Sequence, residues 1–180
     1  LDKTAVLKWK DKSGSTLFVA PLDGATPGEL TPAAINGKPG VKFNGDNCAY
    51  QFAGPVKGKG AVSVWVVYFN NADAEMPHAR IIGSSGDEPE GADGVYDYQV
   101  GFNISPETEK GQAAAKAPAL GKAMVEGRLM TQFRIGCITP GNGHTWYRGL
   151  VGEVIIYNGM ASGEVQGKVE TYLKTKWNLK

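Results

Sequence analysis

The chain has 180 residues, of which 42% are hydrophobic and 21% are charged, as is ordinary for a globular protein. Nineteen Lys and Arg residues against 18 Asp and Glu residues give a formal net charge of +1. The basic residues are scattered, which argues against a nucleic-acid partner because that needs clustered positive charge. No apolar run approaches the roughly 20 residues that span a membrane. Length and composition predict a single domain over residues 1–180.

The first third of the chain predicts short strands separated by turns. Residues 6–14 form a short strand that runs into a turn, and residues 16–19 are a second short apolar run. Residues 21–40 are rich in Pro, Gly, Thr and Ala, which predicts a loop. Alternation of apolar and polar residues predicts a strand over 41–44, and after a break the strand pattern resumes over 48–52.

The strongest strand pattern covers Ala61 to Phe69. Apolar residues occupy both of its faces, which predicts a central strand that is covered on both sides. Shorter strands are predicted over 80–83, 95–104 and 129–138, whereas the Ala- and Lys-rich residues 105–127 predict a surface excursion.

In the last part of the chain, the spacing of apolar residues changes from that of a strand to that of a helix. Residues 149–157 predict a strong strand, and Ser162 followed by Glu164 has the chemistry of a helix N-terminus. The residues that follow place an apolar stripe on one face of a helix: Val165, Val169, Tyr172, Leu173 and Trp177. Such a stripe needs a sheet to lie against.

Several segments, in this order, resemble laminin-G-like (concanavalin A-like) jelly-roll domains of bacterial and phage proteins. The C-terminal pieces are residues 149–157, 160–164 and 169–177, and the upstream pieces are residues 9–14, 36–39, 41–45 and 133–136. The resemblance covers nearly the whole chain. It implies an all-β fold: a two-sheet antiparallel jelly-roll sandwich with a concave face, a rim of loops and one short C-terminal amphipathic helix.

The resemblance also implies a function class. Such domains are mostly non-catalytic modules that bind glycans or proteins, often outside cells, and some hold calcium in a rim loop. The chain departs from the family pattern in two places. Almost nothing precedes residue 9, so the first strand is missing, borrowed from another chain or left open. Residues 103–128 also look abbreviated, which weakens inference about a ligand there.

An acidic loop supplies the candidate metal ligands Asp87, Glu88, Glu90 and Asp93. The favoured interpretation is a solvated acidic turn. A calcium loop is the alternative, because hard cations bind clustered oxygens. Catalytic carboxylates would need a regular strand, which Pro89 makes unfavourable. No cofactor other than calcium is predicted.

The candidate ligand-binding residues lie in the loop before the last strand and on one earlier strand. Asn142, His144, Trp146 and Arg148 supply the aromatic and planar polar groups that bind sugars, but Trp146 is equally suited to packing in the core, and packing is favoured. Tyr96 and Tyr98 share one strand face and form either a stacking platform or part of the core. Cys48 and Cys137 form either a disulfide or two buried thiols, with buried thiols favoured.

These observations lead to three hypotheses of decreasing weight. The first is a non-catalytic, lectin-like module that recognises carbohydrate through its rim loops. The second is a structural or adhesive component of a homo-oligomer or larger assembly, such as a phage virion or a bacterial surface. The third is a glycan-active hydrolase. The first two place the chain outside cells, on a cell surface or in a virion. Fold alone decides none of them.

Overall fold

The structure is a computed structural model that describes residues 4–14, 17–52, 61–70, 79–86, 103–104, 117–126, 130–137 and 146–180. Within these residues the chain forms twelve strands and one helix. The elements are β1 (Thr4–Ala5), β2 (Trp9–Lys10), β3 (Phe18–Pro21), β4 (Glu29–Ile35), β5 (Lys38–Asn44), β6 (Tyr50–Phe52), β7 (Ala61–Asn70), β8 (Ile82–Gly86), β9 (Asn103–Ile104), β10 (Pro118–Glu126), β11 (Met130–Ile135), β12 (Arg148–Asn158) and α1 (Gly163–Trp177).

The strands form two antiparallel sheets that pack face to face. Sheet A has the order β1-β4-β5-β12-β7-β10, and sheet B has the order β2-β3-β6-β11-β8-β9. The main core lies between them and is built from inward-facing Val, Ile, Phe and Tyr side chains. The predicted fold class, a two-sheet antiparallel sandwich with one C-terminal helix, is confirmed, and the architecture is compatible with a jelly roll.

Strand β7 is covered on both faces, as its sequence predicted. Val62, Val64 and Val66 face the main core. Trp65 and Val67 point the other way, into a second apolar cluster beneath α1. All residues of β7 except Ala61 and Phe69 are buried. A strand with two covered faces must be apolar on both, which explains its sequence.

Helix α1 covers the outer face of sheet A. Its N-cap is Ser162, as predicted, whose hydroxyl accepts a hydrogen bond from the Val165 amide at 3.3 Å. Leu173 and Trp177 are buried against the sheet. The predicted stripe is wrong at Tyr172, which is 47% exposed. Its hydroxyl instead reaches the sheet by hydrogen bonding, because the ring lies at the margin of the buried face.

One carboxylate on sheet A holds the end of this helix. Glu153 accepts hydrogen bonds from Trp177 Nε1 at 2.6 Å and from the Tyr172 hydroxyl at 3.1 Å. Lys176 Nζ lies 2.9 Å from the same carboxylate. The Trp177 ring also rests on Gly152, where a Cβ would come within 2.5 Å of the ring. The helix is therefore fixed by polar contacts as well as by its apolar face.

The start of the helix is fixed by a buried hydroxyl. Ser63 on β7 donates to the carbonyl of Gly159 and accepts from the amide of Ala161, both at 2.9 Å. These two main-chain groups belong to the connection between β12 and α1. One serine thus satisfies both of them where water is excluded.

The loop predicted over residues 21–40 is wrong, because β4 and the start of β5 lie there. Asn36 and Gly37 have φ of 47° and 80°, the values of a two-residue hairpin turn between these strands. The pairing between β4 and β5 shifts register between Thr31 and Ile35. Pro32 lies within that irregularity, where a proline is tolerated in a strand.

The surface excursion predicted over residues 105–127 is wrong over residues 118–126, whereas residues 105–116 and 127 lie outside the described residues. Strand β10 pairs with β7 in an unbroken register over all nine of its residues. Its small residues reflect close packing, since a Cβ on Gly121 would come within 2.4 Å of Ile104 and 3.1 Å of Val66. At Gly121, a residue type that suggested a loop allows the two sheets to approach each other.

Candidate functional site

Three strand ends of sheet A meet at one rim of the sandwich. One of them is the start of β12, which directly follows the candidate ligand-binding residues predicted from the sequence. Arg148 begins β12 and lies opposite Asn44, the last residue of β5. The next residue of β12, Gly149, lies opposite Asn70 at the end of β7. The exposed polar side chains around this point, Asp23, Asn44, Asp46 and Arg148, together with the half-buried Asn47, are called the rim surface below.

The rim surface is built on a tight turn after β5. The Asn44 side-chain oxygen accepts hydrogen bonds from the amides of Asp46 and Asn47 at 3.0 and 3.1 Å. Gly45 between them has a φ of 80°, which favours glycine. This turn fixes the backbone that carries Asp46 and leaves its carboxylate at the surface.

A second loop is attached to this turn from the side. The Asn47 side chain donates to the Gly24 carbonyl at 3.1 Å, and the Thr26 amide donates to the Asn47 carbonyl at 2.7 Å. These contacts bring the exposed Asp23 to the same rim. The sequence indicated a break in the strand at residues 44–47 but held no signal that these residues lie beside residue 148, which is about 100 positions away.

Arg148 lies across the turn. Its Nε donates to the Asn44 carbonyl at 3.1 Å. A Cβ on Gly45 would come within 2.7 Å of the Arg148 Cβ, so the arginine stem occupies the space above that glycine. The side chain is exposed, and its contact with the turn restrains the planar guanidinium group, which is suited to planar polar partners.

The two aromatic residues before Arg148 are buried. Trp146 is 9% exposed and packs with Ala49 and Cys137. It therefore packs in the core, which is the interpretation that the sequence favoured. Tyr147 is fully buried, and its hydroxyl donates to the Phe69 carbonyl at 2.8 Å. Burial raises the pKa of Tyr147 well above its ordinary value. Both rings therefore support the rim from below.

Most of the sequence-predicted site lies outside the described residues. This holds for Asn142 and His144, for Tyr96 and Tyr98, and for the carboxylates Asp87, Glu88, Glu90 and Asp93. Among the residues that the structure does describe, no group of three or more His, Cys, Asp or Glu side chains could hold a metal ion. Calcium binding by the acidic residues therefore stays a prediction from the sequence.

Both cysteines are buried thiols, and no disulfide joins them. This is the alternative that the sequence favoured. Burial raises the pKa of Cys48 to about 11, so its thiol is protonated at neutral pH. Cys48 packs in the main core, and Cys137 packs beside Trp146. A protonated, buried thiol is inert, so Cys48 acts as a small core residue.

Comparisons with family models, with curated proteins and with solved structures find no match to this chain. In the described part of the chain, no helix is long and apolar enough to cross a membrane. The architecture and the rim geometry are thus the basis for any functional inference.

Proposed function

We propose that the chain is a non-catalytic, laminin-G-like module that binds carbohydrate through the rim surface and works outside cells, on a cell surface or in a virion. The observation that carries the proposal is the position of Arg148, exposed at the meeting point of three strand ends and restrained by the turn of residues 44–47. Asn142 and His144, which precede Arg148 closely in the sequence, are part of the proposed site on sequence grounds.

The chemistry of the rim surface suits a polyhydroxylated ligand. Carboxylates accept hydrogen bonds from sugar hydroxyls, a guanidinium donates several in one plane, and Asn47 adds a side-chain amide. The side chains carry both signs of charge, which suits a neutral or weakly charged ligand better than a polyanion. Trp146 is excluded from the proposed contacts because its ring is buried.

The supporting structure favours recognition because it is rigid. The turn carrying Asp46 is held by two hydrogen bonds from its own backbone to Asn44, and Asn47 joins it to the adjacent loop. Polar groups that are already oriented lose less conformational entropy when a ligand binds. A rim held in this way needs little rearrangement to bind.

The proposal is tested by titrating soluble oligosaccharides of neutral and acidic classes, chosen with a glycan array, against the unchanged chain and three variants. Arg148→Ala and Asp46→Ala should each weaken binding by about tenfold, the effect of losing one or two hydrogen bonds to a charged group. Arg148→Lys should weaken it nearly as much, because lysine keeps the charge and loses the planar donor group.

Lys168→Ala is the matched control, because Lys168 is an exposed cation on α1 whose partner, Glu164, is also exposed. It should leave glycan affinity unchanged. Absence of binding across all glycan classes would contradict the proposal, as would a glycan affinity that none of the rim variants alters.

A further inference from the structure

One edge of sheet A differs from the other sheet edges. As far as the structure describes them, the edge strands β1, β2 and β9 have two residues each. Strand β10 has nine, and no strand in the described residues pairs with its outer side. Natural proteins usually protect sheet edges with short strands, bulges, prolines or charges, because an open edge can pair with another chain.

Strand β10 has little of this protection. Its register with β7 has no bulge, and its proline is the first residue, Pro118. Its internal charge, Lys122, does not act as a guard either. Lys122 Nζ lies 2.8 Å from Glu170 of α1, so it is directed toward the molecule's own helix.

The strand is partly exposed although both of its faces have packing partners. Ala119, Ala123 and Val125 pack on the main core, and Leu120 and Met124 pack on the cluster under α1. Even so, none of the nine residues is buried, in contrast to the adjacent β7. The lack of a pairing strand on the outer side, among the described residues, is consistent with this exposure.

We infer that β10 is a self-association edge, and that two copies of this chain pair their β10 strands antiparallel about a twofold axis to form one continuous sheet. A twofold axis supplies the antiparallel direction without any second type of surface. A continuous sheet must align inner residues with inner residues, so the axis passes through a residue. Overlap of all nine residues places it at Lys122.

The strand is complementary to itself in this register. Leu120 lies opposite Met124 of the partner beneath the two helices, and Gly121 lies opposite Ala123 of the partner on the inner face. The two Lys122 side chains meet at the axis, each already 2.8 Å from a Glu170 carboxylate. The two cations and two carboxylates compensate each other, so the usual penalty for like charges on opposing strands is offset.

Sedimentation equilibrium of the unchanged chain tests the inference first, and we expect a reversible monomer–dimer equilibrium. Lys122→Glu puts four carboxylates at the axis and should weaken dimerisation by at least about tenfold. Lys168→Glu makes the same change of charge elsewhere on the molecule, on an exposed turn of α1, and should leave the dimer unaffected. The double variant Lys122→Glu/Glu170→Lys restores the charge balance and should restore dimerisation.

A second measurement is independent of how well the charge variant folds. Lys122→Cys should form a disulfide-linked dimer under mild oxidation, because opposed residues of paired strands lie within disulfide reach. Lys42→Cys, on the internal strand β5, should not. A chain that stays monomeric at its highest soluble concentration overturns the inference. A dimer that Lys122→Glu leaves intact, or that Lys122→Cys fails to cross-link, overturns it as well.

Discussion

Strand β12 carries two charged residues, one at its start and one in its middle, and their surroundings differ. Arg148 at its start is exposed at the rim and is anchored through Nε to the backbone of a neighbouring strand. Glu153 in its middle is half-buried and accepts hydrogen bonds from three side chains of α1. The Glu153 carboxylate, held by three side chains of a packed helix, stabilises the scaffold, whereas the exposed Arg148 beside the turn of residues 44–47 belongs to the proposed site.

Three tryptophans of the described structure belong to the scaffold, as Glu153 does. Trp65 and Trp177 lie in the cluster between sheet A and the helix, and Trp146 packs beneath the rim. Aromatic rings suggest sugar stacking when only the sequence is known. In the described structure these three rings stabilise the fold, so the described part of the proposed site offers polar side chains to a ligand.

The largest effect on stability is expected for Trp177→Ala. The ring is 3% exposed, rests on Gly152 and donates to Glu153. Its removal should lower the free energy of unfolding by about 3–5 kcal/mol through lost burial and a cavity. Urea denaturation measures this. Val165→Ala, at a partly buried position of the same helix, should cost clearly less, and equal losses would contradict the central role given to Trp177.

Glu153→Gln should have the next largest effect, about 1–3 kcal/mol at neutral pH, because a charged acceptor is replaced by a neutral one. Thermal unfolding followed by circular dichroism measures the loss. Lys168→Gln is a suitable control, since its exposed ion pair with Glu164 should contribute little.

The same carboxylate predicts a pH dependence. Burial alone would raise the pKa of Glu153, but hydrogen bonds from Trp177, Lys176 and Tyr172 outweigh it, so the pKa lies below its ordinary value of 4.5. A lowered folded-state pKa gives stability that is present above about pH 4.5 and is lost as pH falls toward the folded-state value. The stability difference between the unchanged chain and Glu153→Gln should shrink over that range. A difference that stays constant would contradict the network.

Ser63→Ala should cost about 1–3 kcal/mol, because the amide of Ala161 is left buried without its acceptor. Ser162→Ala removes an exposed N-cap one residue further along and should cost about 1 kcal/mol. Denaturant midpoints of the two variants rank them directly. The reverse order would mean that the helix is held mainly by its cap.

The smallest effect on stability is expected for Arg148→Lys, below about 0.5 kcal/mol, because the side chain is exposed. The same variant should reduce glycan binding strongly. A loss of stability comparable to that of Glu153→Gln would mean that Arg148 belongs to the scaffold, and the contrast between the two parts of β12 would fail.

Sequence patterns predicted the parts of the fold that depend on local chemistry. The apolar run of β7 and the stripe ending at Trp177 reflect which side chains are buried, and the cap at Ser162 reflects local hydrogen bonding, so all three could be interpreted without coordinates. Strand β10 could not, because its Gly121 is explained by the close approach of Ile104 from the other sheet. Composition cannot distinguish such packing from a loop.

The candidate site was also predicted only in part, because some of its residues are brought together by contacts between distant segments of the chain. Arg148 stood out because it follows a loop with several sugar-binding residue types. Residues 44–47 were predicted as a break between two strands but not as neighbours of Arg148, since only the pairing of β5 with β12 brings them together. Glu153 was overlooked as a helix anchor because its partners lie 19–24 residues later.

The most direct test of the central claim maps a bound glycan onto the two parts of β12. Amide chemical shifts of the isotope-labelled chain would be recorded during titration with the oligosaccharide that binds best. We expect the largest changes at residues 44–47 and at Arg148, with little change at Glu153 or along α1. Changes concentrated around Glu153 and the helix, with the rim unaffected, would contradict the assignment of recognition to the rim and of stability to the helix-covered face.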